Sequence, residues 1–515
     1  MREVGCSFLA AMRRLWSRLE WRLAAVSVCA AALVWAASST SHASMLRERL
    51  FDVFASWFVE ASATDPDLVV VEIDRASLKE LGPWPWSRDL LARLVERVVS
   101  AQPKAVALDV LLEGPDRVAR TSSALQVAAL SGDAKPDDLT QRLLGGDQSM
   151  ARSISNAPFV LGAALDPSPR HESTMLRPTL IHGTLDAHGL FRAGGLITPS
   201  PDLLSKAAGL GALSLLGDED GVVRRVPMLA IADNRLVPGL TLELFRVASA
   251  QPLLVVDAVS RQLIIGQRSI AIGHEGLLRL APHNPAVHQA RRISAKSLLQ
   301  HEAGIAERIQ GKVVIIGGSA PELGGLQTLS SGQLVSSTAL HADAYTLLAS
   351  GRLLIRTEAL RWFEIVSMFV GAGLATLAVM GYSPLCSGLL ILGSAIGWIG
   401  CSAVVATLSG ILIDPLAATI AAIVCLMAVG PMVESEHRRR AAGVKARFER
   451  HLAPAIVNRV VHQPERLKLE GEVRNVTALF TDIEGYTTMT ERAEPTELIK
   501  VLDGYFDGLT SIAVS

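Results

Sequence analysis

Hydrophobic residues along this chain follow three patterns. From Leu23 to Ser41 and from Ile365 to Ile413 no Asp, Glu, Lys, Arg or His interrupts the run, and a further uncharged stretch extends from Pro415 to Val433. About 20 apolar residues carry a helix across a bilayer's hydrocarbon, so the long middle run holds two spans. Gly381-Tyr382-Ser383-Pro384 supplies the turn between them. The expected spans are 23–41, 362–381, 385–409 and 412–433. In the second pattern, over 42–361, short apolar runs alternate with amphipathic helices. Leu46, Leu50, Phe54 and Phe58 recur near helical spacing, and strands are expected over Leu68–Ile73, Ala105–Leu111, Phe159–Leu165, Val222–Ile231, Leu253–Val256 and Lys312–Gly317. Ser87 is placed to cap a helix with Leu90, Leu91, Leu94, Val95 and Val98 on one face, while Gly217–Gly221 and Asp166–Ser173 read as turns. An α/β domain follows from this alternation. The third pattern lies near the carboxyl end. Val476, Ala478 and Phe480 alternate with Thr477, Leu479 and Thr481, predicting a strand from which Asp482 emerges. Gly485 then permits a sharp turn, and Pro495 opens a helix with Ile499, Leu502, Phe506 and Leu509 at helical spacing.

Charge orients these segments. Arg13, Arg14, Arg18 and Arg22 precede the first span, and Arg438, Arg439, Arg440, Lys445, Arg447 and Arg450 follow the last. Positive residues stay on the cytoplasmic side, so both termini are expected there, in a bacterial inner membrane, with 42–361 outside. A cleavable signal peptide is the rival reading of the first segment, because Ser41-His42-Ala43 offers small residues for cutting; the long arginine-rich arm 1–22 favours an uncleaved anchor. Residues 434–468 read as a charged linker helix with Val444, Phe448 and Leu452 spaced by four. A formal net charge of −1 argues against a dedicated nucleic-acid binder. Cys6 falls in the arm and Cys29, Cys386, Cys401 and Cys425 within spans, leaving the external domain to be held by its core rather than by disulfides. Transport is disfavoured because Asp414 is the sole carboxylate between Ile365 and Val433, and no Gly-rich ATP lid follows His437 to make it a kinase phosphoacceptor.

A carboxylate and a bare-backbone turn placed directly after a strand suit a magnesium ion that carries a nucleotide's phosphates. The run LEGEVRNVTALFTDIEGYTTMTERAEPTELIKVLDGYFDGLTSI, Leu469 to Ile512, resembles the start of the class III nucleotidyl cyclase domain, a ferredoxin-like α+β fold. That resemblance implies that Asp482 is the first of two metal-binding aspartates and that the Ile483 carbonyl helps to hold one ion. It also implies that amides around Gly485, Tyr486 and Thr487 meet the triphosphate. Two Mg2+ or Mn2+ ions per complete site, ATP or GTP as substrate, and a homodimer follow from the same resemblance. The family's second aspartate, base-selecting residues and transition-state residues are expected beyond Ser515, so residues 469–515 are read as an amino-terminal portion that would not turn over nucleotide by itself. A protein whose cyclase half serves only for dimerisation is the remaining alternative. Asp503 and Asp507, four apart on the following helix, read as solvated carboxylates.

In the external segment, VEIDRASLKELGPWPWSRDLLARLV, ALDVLLEGPD, GDEDGVVRRVPML, GKVVIIGG and LHADAYTLLASGR resemble the second CHASE family of extracytoplasmic sensors. In that family three membrane helices and an output domain follow the sensor. Asp74, Trp84, Trp86, Arg88, Asp109, Asp220, Arg224 and His341 are the residues of these stretches able to line a pocket for an unidentified signal. For most of them a structural role competes. Asp74 and Asp109 can cap helices, the tryptophans can be core, and Arg224 can pair with Asp220.

Overall fold

Every residue of β1 (Leu68–Ile73) is buried, because both faces of the sheet it enters are covered. The computed structural model describes residues 18–60, 67–114, 116, 136–170, 179–183, 189–273, 276–281, 285–449, 475, 478 and 480–514. Contacts divide the chain into two units, Met1–Glu436 and His437–Ser515. Cys6, Arg13, Arg14 and residues 450–468 of the expected linker lie outside the described residues.

The first unit begins with α1 (Arg18–Ser38) and α2 (Ser41–Glu60). The central sheet takes β1, β2 (Ala105–Leu111) and β3 (Phe159–Asp166), then β6 (Arg292–Ser294) and β7 (Val313–Gly318), in the spatial order β6-β1-β7-β2-β3. Those pairings are all parallel, with Val70 facing Ile315 and Ile315 facing Ala107. Gly209–Ala212 adds a parallel strand beyond β3, and Gly195–Ile197 pairs with β3 antiparallel.

Alternation along each strand divides the core in two. Val69, Val71, Val314 and Ile316 pack with α3 (Arg88–Ser100), through Leu90, Leu91, Leu94, Val95 and Val98. Leu68, Val70, Val313 and Ile315 belong to the other core, with α4 (Leu240–Ala248), α5 (Ser337–Ser350) and Phe51, Phe54 and Phe58 of α2. Each such large side chain contributes about 1.5–3 kcal/mol when fully buried. Of the stripe expected on α2, Leu46 is exposed and Phe51 takes a core place instead.

Among the described residues four helices are long and apolar enough to cross a membrane: Glu20–Ser38, Ala359–Gly381, Pro384–Ser409 and Ala417–Val444. They belong to α1, α6 (Glu358–Gly381), α7 (Pro384–Ser409) and α8 (Ala417–Glu449). Small residues mediate their packing, Ala31, Ala372, Ala375, Ala421 and Ala422 being buried where helix backbones approach closely. Leu374, Leu377, Leu389, Leu392 and Met427 face outward. The last span begins at Ala417 rather than at 412, because the Asp414 carboxylate accepts from the Leu416 and Ala417 amides (2.8 and 3.1 Å) and caps the helix there.

Three local expectations need correction. The strand expected over Val222–Ile231 divides into β4 (Arg225–Pro227) and Leu229–Ala232; β4 pairs antiparallel with β5 (Leu277–Arg279), whereas Leu229–Ala232 joins a separate three-stranded sheet. The break falls at Met228, whose amide and carbonyl bond Gly276 and Gly239 rather than a strand partner. Ser87 stands at the amino end of α3, but its side chain makes no capping bond; the carboxylate of Asp116 accepts from the Arg88 amide at 2.9 Å. Of the strand expected over 476–481 in the second unit, Val476, Thr477 and Leu479 lie outside the described residues, as do 469–474 ahead of it; the described Ala478, Phe480 and Thr481 are not in a strand, and Phe480 is 92% exposed. The unit's helices are α9 (Tyr486–Arg492) and α10 (Pro495–Val514), the latter starting at the proline as expected.

Candidate signal-binding site

Alternate residues of α2 serve two purposes. Phe51, Phe54 and Phe58 enter the core, while Glu48 and Asp52, one turn apart, present carboxylates to β4 and β5. Arg225 and Arg279 stand directly opposite in that antiparallel pair, a like-charge juxtaposition that would destabilise it without counter-ions. Glu48 supplies one: it pairs with Arg225 at 2.7 Å and also with Arg279. Arg279 then reaches Asp52 at 2.7 Å, and Arg224 reaches Asp52 through Nε at 2.9 Å. Arg224 is also held by the turn ahead of it, where both Asp220 oxygens accept from its two terminal nitrogens at 2.8 Å and Asp218 accepts at 3.0 Å. Gly221, at φ 75°, closes that turn in a backbone conformation open to glycine.

The network continues toward the apolar helices. Arg47 pairs with Asp414 at 3.6 Å, Arg356 donates to Glu364 at 2.6 Å, and the other Glu364 oxygen accepts the Asp414 amide at 2.8 Å. The guanidiniums of Arg279 and Arg356 lie 5.5 and 5.7 Å from the centre of the Phe51 ring. A cavity of about 900 Å³ opens among these residues, lined by α2, the Gly217–Asp220 turn, β5, Arg261 and the segment from Leu354 to Arg361 that leads into α6. Burial alone would raise the Glu48 carboxyl, but Arg279 and Arg225 outweigh it and hold it at about 2. Asp220 is held at about 2 chiefly by its hydrogen bonds from Arg224. Burial pushes Asp52 upward and Arg47 downward, the neighbouring Arg356 adding to the latter.

Of the residues expected to meet a signal, only Asp220 and Arg224 line this cavity. Asp74 caps a short helix by accepting from the Ser77 amide at 2.8 Å. Trp86 is core and donates to the Gly82 carbonyl, with Trp84 beside it at a ring separation of 6.3 Å. Arg88 pairs with Asp147 and donates to the Gly114 carbonyl at 2.6 Å. Asp109 accepts from Ser337 and Thr338 at the start of α5 (2.6 and 2.9 Å), and His341 stands 3.9 Å away, completely buried. Burial pushes the Asp109 carboxyl up, and His341 opposes it. Glu48, Asp52, Arg279, Arg356 and Glu364 were not singled out by sequence reasoning, although Glu48 and Asp52 sit four apart beside the apolar stripe of α2.

In the second unit the side chain of Asp482 is exposed and accepts from the Ile483 amide at 2.9 Å. The Ile483 carbonyl accepts from the Tyr486 amide at 3.3 Å. Gly485 occupies the left-handed region at φ 77° and starts α9, whose first turn contains Tyr486 and Thr487. Among the described residues no cluster of three or more His, Cys, Asp or Glu could hold a metal.

A folded α/β domain whose ionic cavity adjoins a bundle of membrane-length helices has the architecture of a membrane-anchored sensor. Residues 26–380 match the CHASE2 domain family, and the chain belongs to that family. The match ends ahead of Leu469, so the cyclase resemblance rests on its own residues. No curated protein and no solved structure matches the chain.

Proposed function

We propose that the chain is a transmembrane receptor cyclase of the bacterial inner membrane. An extracytoplasmic signal acts at the cavity beside α2, and the output, formed in a homodimer, is conversion of ATP to cyclic AMP and pyrophosphate through attack of the ribose 3′-hydroxyl. The sensor half of this reading is carried by the Glu48–Arg279–Asp52 network, which ties the helix that continues from α1 to the strand pair lining the cavity. A ligand that binds better to one arrangement of this network than to another would shift the population of α2 positions, and with it the apolar helices.

The output half is supported by the cyclase-like run and by the turn at Gly485. Asp482 and the Ile483 carbonyl offer hard oxygen donors of the kind that Mg2+ or Mn2+ prefers, and they supply part of a coordination sphere. Bound divalent ions would supply neutralisation of phosphate charge. The chain's own contribution is to hold such an ion through Asp482 and Ile483, and to turn at Gly485 so that backbone amides at Tyr486 and Thr487 are brought toward a phosphate. The test is cyclic-nucleotide production from Mn-ATP and Mn-GTP by the full-length protein, expressed from the complete gene in its native membranes, wild type against Asp482→Ala. Loss of product in the variant is expected; undiminished product would remove Asp482 from the reaction.

A further inference from the structure

The hydrogen-bond accounting of the cavity is one-sided. Glu219 lines it from an exposed position, and six further carboxylates stand in or beside it with a partner on every oxygen. Glu48 is taken by Arg225 and Arg279, Asp52 by Arg279 and Arg224, and Asp220 by Arg224 twice. Asp218 is taken by Arg225 and Arg224, Glu364 by Arg356 and the Asp414 amide, and Asp414 by Arg47 and its own helix cap. Among the buried groups of the cavity, what remains unmatched is on the donor side. The Nε–H groups of Arg47, Arg279 and Arg356 are buried without a partner, although all three side chains line the cavity. Arg261, also lining it, makes no ion pair among the described residues. A buried donor without an acceptor is costly, and guanidinium donors are best satisfied by charged oxygens.

We propose that this cavity binds an oxyanion of the phosphate class, with Arg47, Arg261, Arg279 and Arg356 as its donors. The inference rests on reading the cavity as the receptor's ligand site and names the chemistry of the ligand. Two sources share that chemistry: a free phosphorylated or inorganic anion, and the phosphate of a membrane lipid headgroup. The second source fits the position of the cavity, because Thr357 and Ala359 at the start of α6 and Leu412 between α7 and α8 line it. Close by, Trp398 donates to the Asp414 carbonyl and stacks on Phe363, an arrangement suited to the level of lipid headgroups.

The experiment uses the full chain in a phosphate-free maltoside detergent, titrated with inorganic phosphate against chloride at matched ionic strength, and in the same detergent with added phosphatidylglycerol. The readouts are the unfolding midpoint and a phosphate-binding isotherm. A midpoint raised by several degrees with phosphate identifies a soluble oxyanion, and a rise with phosphatidylglycerol alone identifies the headgroup. Either supports the proposal if Arg261→Gln, which breaks no ion pair and so should fold, weakens the effect about tenfold, the size expected for one lost charge-assisted hydrogen bond. Arg47→Gln should act in the same direction. No rise with either anion beyond chloride, or a rise unaltered in both variants, overturns the proposal. Because binding is read without any output step, a negative result here leaves the receptor reading to the cyclic-nucleotide assay. Anion binding here, with no cyclic nucleotide from the full-length protein in the membrane assay, would remove the output and keep the oxyanion.

Discussion

Arg279 is the residue on which the network converges. It touches Glu48 and Asp52, covers the Phe51 ring and faces Arg225 across the strand pair. Replacing it with methionine takes one partner from each of Glu48 and Asp52, which keep Arg225 and Arg224, and the loss of those charge-assisted bonds costs about 1.5–3 kcal/mol. Arg279→Met should therefore lower the unfolding midpoint far more than Arg261→Gln, as read by thermal denaturation in detergent. Acid should act through the same groups. Glu48 falls from 4.5 to about 2 and Asp220 from 3.8 to about 2 in the folded protein, so their stabilisation is complete above those ordinary values and is lost as pH drops toward about 2. Asp52, pushed upward by burial, contributes the opposite slope, and the fall in midpoint is net of it. Glu48→Gln should flatten this acid limb; an unchanged limb would show that Glu48 is not ionised in the network.

At the scale of elements, the helix ends show how local chemistry and tertiary contact divide the work. Gly410 terminates α7 at φ 72°, and a β-carbon there would stand 2.2 Å from the Leu353 carbonyl oxygen. Gly410→Ala should cost about 1–3 kcal/mol in strain and displace the strand segment that bonds Gly410 through the Ile355 amide. Gly400→Ala in the same helix, with open space around it, should be neutral or slightly stabilising, since alanine favours helix by about 1 kcal/mol. The unfolding midpoints of the two variants, measured side by side, check this contrast. The elements themselves were legible to different degrees. Leu68–Ile73 and Ala105–Leu111 appear with the expected bounds because a strand buried on both faces is a near-continuous apolar run, interrupted here only by Glu72 and Asp109. Val222–Ile231, read as one strand despite Arg224, Arg225 and Pro227, has two halves that pair with different neighbours, which the pattern along the chain does not encode.

For the whole molecule, the arrangement of charges at both ends of the apolar helices sets which side the sensor faces. A cysteine introduced at Val259, 76% exposed, should react with a membrane-impermeant thiol reagent in intact cells. One at Glu491, exposed on α9, should react only after permeabilisation. The reverse pattern would overturn the receptor orientation and, with it, access of Asp482 to cytoplasmic nucleotide.

The sequence by itself determined the apolar helices, the parallel core strands, the left-handed turn at Gly485 and the Asp220–Arg224 pair, because each is written in residues within a few positions of one another. Only the tertiary structure decided the cavity. Glu48 and Arg279 lie 231 residues apart, and nothing in either neighbourhood marks the other as its partner. The same holds for Arg47 with Asp414. Ion pairs of this kind arise where the fold brings α2, β5 and the start of α6 to one place. Which donors are left over for a ligand depends on every partner already taken there, a sum that exists only once the chain has folded.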